Sequence, residues 1–276
     1  GVIEPGSGVA RDFAAVGWAG VSVDGPHGGL RNVTGGDEQF LMFNILNPGA
    51  MIDNVRQSAL ELALLPEVLE SVQITDTCGG VLDTDRLVLM GHSMGATIAP
   101  LTLAQGGFVG AILSGAGGSW VHNIVYKQSP IEVRPIAEAM LHHPGLTEFD
   151  PTLSLVQWAG ESADPPVYGA QIQDQGLALL QIQGIVDTYI LPPMSNATSL
   201  SLGLDLVEPT LDADHPDLAQ FTPLQDLLYL SPGELVPRRT DTSVLQFPED
   251  GLQDGHEVLF QSDEPRRHIR DFLLEL

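Results

Sequence analysis

The sequence predicts an α/β fold in which helices flank a mostly parallel central sheet. Short apolar runs recur along the 276-residue chain, segments with helical spacing of apolar residues lie between them, and glycine or proline closes several runs. A strand that is apolar throughout is buried on both faces, which happens when helices cover both sides of a parallel sheet. The sequence shows no repeat of fixed period and no low-complexity tract, so a solenoid is excluded.

The elements of the first half follow in chain order. Residues 11–16 predict the end of a helix, and residues 19–24 predict a short buried strand before a Gly-Pro turn. Apolar residues at helical spacing predict a helix over residues 53–69, with its proline as the point of a kink. The apolar run of residues 86–90 predicts another strand, and we expect a new helix to begin after Ser93.

In the second half, strands are predicted at residues 110–114, 178–182 and 243–247, and a terminal helix is predicted at residues 264–274. Two connections between these strands run to about 60 and about 55 residues, far beyond the ~2–6 residues usual in such folds. Insertions of this length usually cover a binding site, and we expect the same here.

The domain organisation follows from these lengths. Residues 1–118 are expected to form the first part of an α/β core, and residues 119–177 a helical cap. Residues 178–276 complete the core and hold a loop insertion at about 204–241.

Charge and composition exclude several functions. The chain has 11 lysines and arginines and 36 aspartates and glutamates, which gives a net charge of −25. A chain with this charge repels nucleic acid. No apolar run reaches the ~18–20 residues of a membrane helix, so we expect a soluble protein. The single cysteine, Cys78, leaves the redox compartment open. A secreted or periplasmic location is compatible with this composition, which also leaves the oligomeric state open.

The segment Gly91-His92-Ser93-Met94-Gly95 has the G-x-S-x-G pattern between a predicted strand and a predicted helix. In that context a serine lies in a strained turn with its hydroxyl exposed, and the flanking glycines avoid collisions with the strand and helix. The N–H of Met94 would then face an oxyanion. The alternative is a chance glycine-serine turn, which a chain with 30 glycines makes easily.

A nucleophilic serine needs a histidine base that is held by a carboxylate. His256 follows the last predicted strand and precedes the terminal helix, which is where the chain order Ser, Asp, His places the base. Asp187 follows the strand at 178–182 and is the favoured acid, although an aspartate there also commonly caps its own turn. Asp164 and Asp214, both within the insertions, are its rivals.

These motifs in this order resemble the α/β-hydrolase superfamily, specifically bacterial serine esterases and lipases. The resemblance extends over residues 10–276 and implies the fold of that superfamily, with the cap after its sixth strand. It implies a carboxylic-ester hydrolase that acts through Ser93, His256 and Asp187, by way of an acyl-enzyme intermediate, on a small-molecule ester. It implies no metal and no cofactor.

The resemblance fails at the beginning of the chain. Only eight residues precede the first predicted helix, so we expect the upstream strands of the superfamily to be absent from this sequence. Its second oxyanion donor normally lies in a loop near those strands, and here it is best sought at residues 5–8, with Ser7 as the candidate. The segment that contains His27 resembles an oxyanion motif, but its place after a later strand of the superfamily puts it at the entrance of the site.

Five residues are candidate substrate contacts: His27, His92, Trp120, Tyr126 and Tyr189. The aromatic residues of the insertions either form an apolar inner face of the cap or pack as its own small core. The net charge favours neutral esters with short to medium acyl chains.

Other functions remain open. Lipase activity, amide or peptide hydrolysis and acyl transfer use the same triad, and a non-catalytic binding protein can retain it. The acidic segment at 205–217 lacks the ligand spacing of a calcium loop and is predicted to be a solvated loop.

Overall fold

The computed structural model describes residues 8–72 and 79–276. The strands in these ranges are β1 (Val88–His92), β2 (Gly110–Ser114), β3 (Ala178–Ile185), β4 (Asp205–Val207), β5 (Leu235–Val236) and β6 (Thr242–Pro248). All six are parallel and form one sheet in the order β1-β2-β3-β6-β4-β5. The predicted α/β class with a parallel sheet is therefore confirmed. Ser7 and Cys78 lie outside the described residues.

Helices precede, separate and follow the strands. They are α1 (Gly8–Ala15), α2 (Glu38–Phe43), α3 (Pro48–Ala63), α4 (Leu65–Ser71), α5 (Met94–Leu103), α6 (Trp120–Tyr126), α7 (Arg134–Leu141), α8 (Pro151–Gly160), α9 (Gly169–Gln173), α10 (Pro192–Leu202), α11 (Leu224–Leu227), α12 (Val258–Gln261) and α13 (Asp263–Glu275). The helix predicted at 53–69 is two helices that break at Leu64, because proline follows at position 66 and lacks the amide that a continuous helix needs.

The core has two layers, one on each face of the sheet. On β2, Leu113 packs in a cluster with residues of α5, whereas its neighbour Ile112 packs in another with residues of α13. Successive strand residues point to opposite faces, so a strand that is apolar throughout supports both layers. This arrangement fixes the carboxyl ends of β1, β2 and β3 side by side.

The prediction of a strand at residues 19–24 is wrong. The segment has no strand pairing, and Val21 and Val23 are 54% and 47% exposed. A strand needs a neighbour for its backbone hydrogen bonds, and none of the described strands pairs with this segment. Its apolar residues alone do not create a strand.

The two insertions differ from each other. Residues 119–177 contain α6 to α9 and short 3₁₀ turns, whereas residues 204–241 are not only loop, because β4 and β5 extend the sheet there. Carboxylates of the acidic segment hold the backbone: Asp205 accepts the N–H of Glu234, and Asp212 accepts that of Leu224. No helix in the described ranges is long and apolar enough to cross a bilayer.

Candidate active site

Ser93 lies in a strained turn between β1 and α5. Its backbone has φ 53° and ψ −115°, a conformation that is rare for a residue with a side chain. The Ser93 N–H donates to the carbonyl of Ser114 at the end of β2, with an N···O distance of 2.8 Å. The turn therefore holds Ser93 at the carboxyl edge of the sheet, where the sites of parallel α/β proteins collect.

The two glycines of the turn have different roles. A Cβ on Gly91 would lie 2.5 Å from the carbonyl of Gly95 and 2.6 Å from the nitrogen of Ala96, so only glycine fits there. A Cβ on Gly95 would meet nothing within 4 Å. The expectation that both glycines prevent collisions is correct for Gly91 and wrong for Gly95, because that position of α5 faces open space.

Met94 is the first residue of α5. The carbonyl of Ser93 accepts the first helical hydrogen bond, from Thr97 at 3.0 Å. The first N–H groups of a helix have no acceptor within the helix, so the Met94 amide is free to donate to a group next to Ser93. Ser7, the other candidate donor, is outside the described residues.

His256 and Asp187 form a buried pair. The distance from His256 Nδ1 to Asp187 Oδ2 is 2.8 Å, and the two side chains are 3% and 4% exposed. An ionised carboxylate only accepts hydrogen bonds, so Nδ1 carries the proton. In the neutral ring Nε2 is then an acceptor, and it is buried with no hydrogen-bond partner in the described part of the chain.

Asp187 also holds its own turn. Its second oxygen, Oδ1, accepts the backbone N–H groups of Tyr189 and Ile190, both at 2.7 Å. The capping role and the histidine contact, weighed as alternatives from the sequence, therefore coexist on different oxygens. The carboxylate is fixed in orientation by three hydrogen bonds.

Two glycines let the acid and base segments meet. A Cβ on Gly184 of β3 would lie 1.7 Å from the carbonyl oxygen of Gly255, and a Cβ on Gly255 would lie 2.4 Å from the carbonyl oxygen of Val186. The Gly255 N–H donates to that Val186 oxygen at 2.8 Å. This backbone contact places His256 directly over Asp187.

Ser93 and His256 approach the same end of β2. The His92 ring, next to Ser93 in the chain, is 5.0 Å from the His256 ring, centroid to centroid. A Cβ on Gly115, the residue after β2, would lie 2.8 Å from His256 Cε1. The predicted serine, histidine and aspartate thus lie in one region, although they are far apart in the sequence.

Comparison of the chain with protein-family models, with curated protein sequences and with solved structures gave no match.

His92 stays neutral beside the pair. Burial, together with the nearby His256, lowers the pKa of His92 from 6.5 to about 4. Its Nδ1 lies 3.2 Å from the hydroxyl of Ser114, and its ring packs edge-on against Phe260. At neutral pH this neighbour therefore adds no positive charge next to His256.

Tyr189 covers the other side of the base. Its ring stacks on His256 with a centroid distance of 4.6 Å and an interplanar angle of 15°. Its carbonyl accepts a hydrogen bond of 2.9 Å from Lys127 Nζ. Lys127 was not predicted to lie in the site, and the available signal was that it is the only lysine of the chain.

The other three candidate contacts pack against other residues. Trp120 is 8% exposed and packs in a core cluster that includes residues of α3 and α5, with its indole N–H on the carbonyl of Gly160. This supports the core interpretation for that residue. His27 contacts Asn54 of α3, and Tyr126 borders a cleft beside Lys127.

The rival acids have other environments. Asp164 is buried and accepts hydrogen bonds from the Ser119 N–H and the Gln157 amide, and burial raises its pKa. Asp214 is exposed. In the ranges that the structure describes, no group of three or more His, Cys, Asp or Glu side chains is arranged to hold a metal ion.

Proposed function

We propose that this chain is a serine hydrolase that cleaves carboxylic esters, as its resemblance to the α/β-hydrolase superfamily implies. The observation that carries the proposal is the buried pair of His256 and Asp187, with the free Nε2 of His256. The ring of His92, the neighbour of Ser93 in its strained turn, lies 5.0 Å from the His256 ring. A neutral imidazole whose far nitrogen is held by a carboxylate is the base that a serine nucleophile requires.

In the proposed reaction, Ser93 Oγ attacks the ester carbonyl while His256 Nε2 takes the hydroxyl proton. The Met94 N–H stabilises the negative charge that develops on the carbonyl oxygen. His256 then gives its proton to the departing alkoxide, which leaves as the alcohol, and Ser93 keeps the acyl group. Water repeats the sequence, releases the acid and restores Ser93. Asp187 stabilises the imidazolium throughout.

The test is covalent labelling with a fluorophosphonate combined with ester turnover. We expect wild-type protein to be labelled at Ser93, and Ser93→Ala to lose both labelling and at least ~10³-fold of turnover because the triad acts as a unit. Ser154→Ala, at an exposed position of α8, is the control and should keep both.

The outcomes separate the alternatives. Absence of labelling in the folded wild-type protein would indicate a binding protein that retains the triad residues for packing. Labelling with turnover of anilides in preference to esters would indicate an amidase that uses the same residues.

A further inference from the structure

Lys127 directly follows α6, at the edge of the acid segment that contains Asp187. Its Nζ donates to the Tyr189 carbonyl at 2.9 Å and lies 5.9 Å from the centroid of the Tyr189 ring. An ammonium group has three donors. Among the described residues Nζ makes this one hydrogen bond and no ion pair, so two donors remain for another group.

Lys127 is one of the residues that line a cleft of about 600 Å³. Its apolar side includes Tyr126, Leu191 and Phe221, and the Tyr126 and Phe221 rings meet edge-on at 5.4 Å. Pockets for small organic molecules typically combine an apolar wall with a few polar groups. The cleft has such an apolar wall, and the rest of its lining includes the polar or charged residues Lys127, Gln128, Glu132, Arg134, Glu138 and Gln220.

The other charges at the cleft are already paired or exposed. Arg134 lies 3.0 Å from a carboxylate oxygen of Glu138, and that oxygen also accepts the N–H groups of Gly145 and Leu146. Glu132 is exposed. Lys127 is therefore the cation at the cleft that has no carboxylate partner among the described residues.

Burial makes this unpaired cation receptive to an anion. Desolvation lowers the pKa of Lys127 from 10.5 to about 8, and the carboxylate of Asp187 opposes that shift. A partly buried charge without a counter-ion is unfavourable, and an anion bound at Nζ would remove part of that cost. The side chain is still charged at neutral pH, when such an anion could bind.

Tyr189 connects Lys127, which lines the cleft, to the base. The carbonyl of Tyr189 accepts the hydrogen bond from Lys127, its ring stacks on His256, and its N–H donates to Asp187. Leu191, two residues further, lines the cleft. A substrate group in the cleft would therefore lie next to the segment that holds the reacting pair.

We propose that this cleft binds a carboxylate of the substrate and that Lys127 determines the specificity for it, so that half-esters of dicarboxylic acids are preferred to neutral esters. The inference rests on the proposed hydrolase function for its kinetic part, and its binding part stands alone. It replaces the preference for neutral esters that net charge suggests. The field of distant surface carboxylates falls off over about 8 Å at physiological salt, whereas Lys127 acts at contact.

The first experiment measures binding without turnover. Ser93→Ala protein is produced with lysine labelled with ¹³C at Cε, which gives one lysine signal because Lys127 is the only lysine. We expect monomethyl adipate to shift this signal saturably and to raise the pKa of Lys127 above about 8, since a bound anion favours the ammonium form. Dimethyl adipate, its neutral match, should do neither. Equal responses to both compounds, or no response to either, would overturn the proposal.

The second experiment measures turnover of p-nitrophenyl hydrogen adipate and p-nitrophenyl methyl adipate. Lys127→Met should raise the KM of the anionic ester at least tenfold and change that of the neutral ester less than twofold. Lys127→Arg should restore the preference, and Arg134→Met, at the paired cation, should leave it intact. If Lys127→Met lowers the turnover of both esters equally, Lys127 instead positions the Asp187 segment, and the proposed specificity is wrong.

The pH dependence gives a third readout. In wild-type protein the KM of the anionic ester should increase as the pH is raised beyond 8, because Lys127 loses its proton. In the Lys127→Arg variant this KM should not change with pH. Among the groups near Lys127, the Arg134 contact lowers the pKa of Glu138, and burial raises the pKa of Tyr126 to about 12. If fluorophosphonate does not label Ser93 but the lysine signal still titrates with the anion, the hydrolase function fails and the anion site stands.

Discussion

Single residues in this site serve two purposes, and Asp187 shows why the sequence left its role open. One carboxylate oxygen caps the turn and the other contacts His256. The positions of the serine, aspartate and histidine in the fold were predictable, because each of them follows a predicted strand. The neutral state of His92 and the contacts of Lys127 were not predictable, since they depend on burial by residues distant in sequence.

We expect Asp187→Asn to lower kcat/KM for an ester by about 10⁴-fold, because the amide favours the wrong imidazole tautomer. The variant keeps an oxygen for the N–H groups of Tyr189 and Ile190, so the fold should persist. Steady-state kinetics beside a thermal melt would check this. Asp214→Asn, at an exposed position, should match the wild type, and retention of more than a tenth of the activity by Asp187→Asn would remove it from the mechanism.

At the scale of elements, the longer apolar runs predicted four of the six described strands, although β1 lies two residues later than the run predicted at 86–90. β2 has the predicted bounds, and β3 and β6 contain the predicted runs. The strand at 19–24 failed because the described sheet gives it no partner. β4 and β5 were not predicted, because strands of three and two residues are too short to show an alternation of apolar and polar side chains.

The turn between β1 and α5 gives a sharp test at this scale. We expect Gly91→Ala to destabilise the fold by about 2–3 kcal/mol, as overpacking does, because its Cβ would meet the Gly95 backbone. Gly95→Ala should be neutral or stabilising by up to ~1 kcal/mol, since alanine is the better helix former. Urea unfolding measures the free energy of unfolding of both variants. An equal decrease in the two variants would contradict the different surroundings of the two positions.

At the scale of the whole molecule, the net charge of −25 governs the response to salt. Like charges on a folded chain repel one another, and this repulsion lowers stability. Ion pairs such as Arg239 with Glu275 and Arg31 with Glu61 act in the opposite direction, but both include an exposed side chain, and exposed pairs contribute little. Composition predicted the overall charge, but only the structure shows where it is paired.

Raising NaCl from 10 to 300 mM should therefore raise the melting temperature by at least ~3 °C, because screening shortens the range of the repulsion. Differential scanning calorimetry at fixed pH measures this, with KCl at the same ionic strength as the control. The double variant Glu67→Gln with Glu70→Gln, at exposed positions of α4, should show a smaller increase. A melting temperature that falls with salt would mean that ion pairs outweigh repulsion.

The contact between Gly184 and Gly255 has a consequence for how the molecule opens. It joins the acid and base segments through backbone atoms at β3, which has strand neighbours on both sides, whereas β1 ends the described sheet. Interior strands open mainly with the entire fold, and edges open locally at lower free energy. Transient opening of the native state would therefore leave the pair of His256 and Asp187 assembled until the domain unfolds.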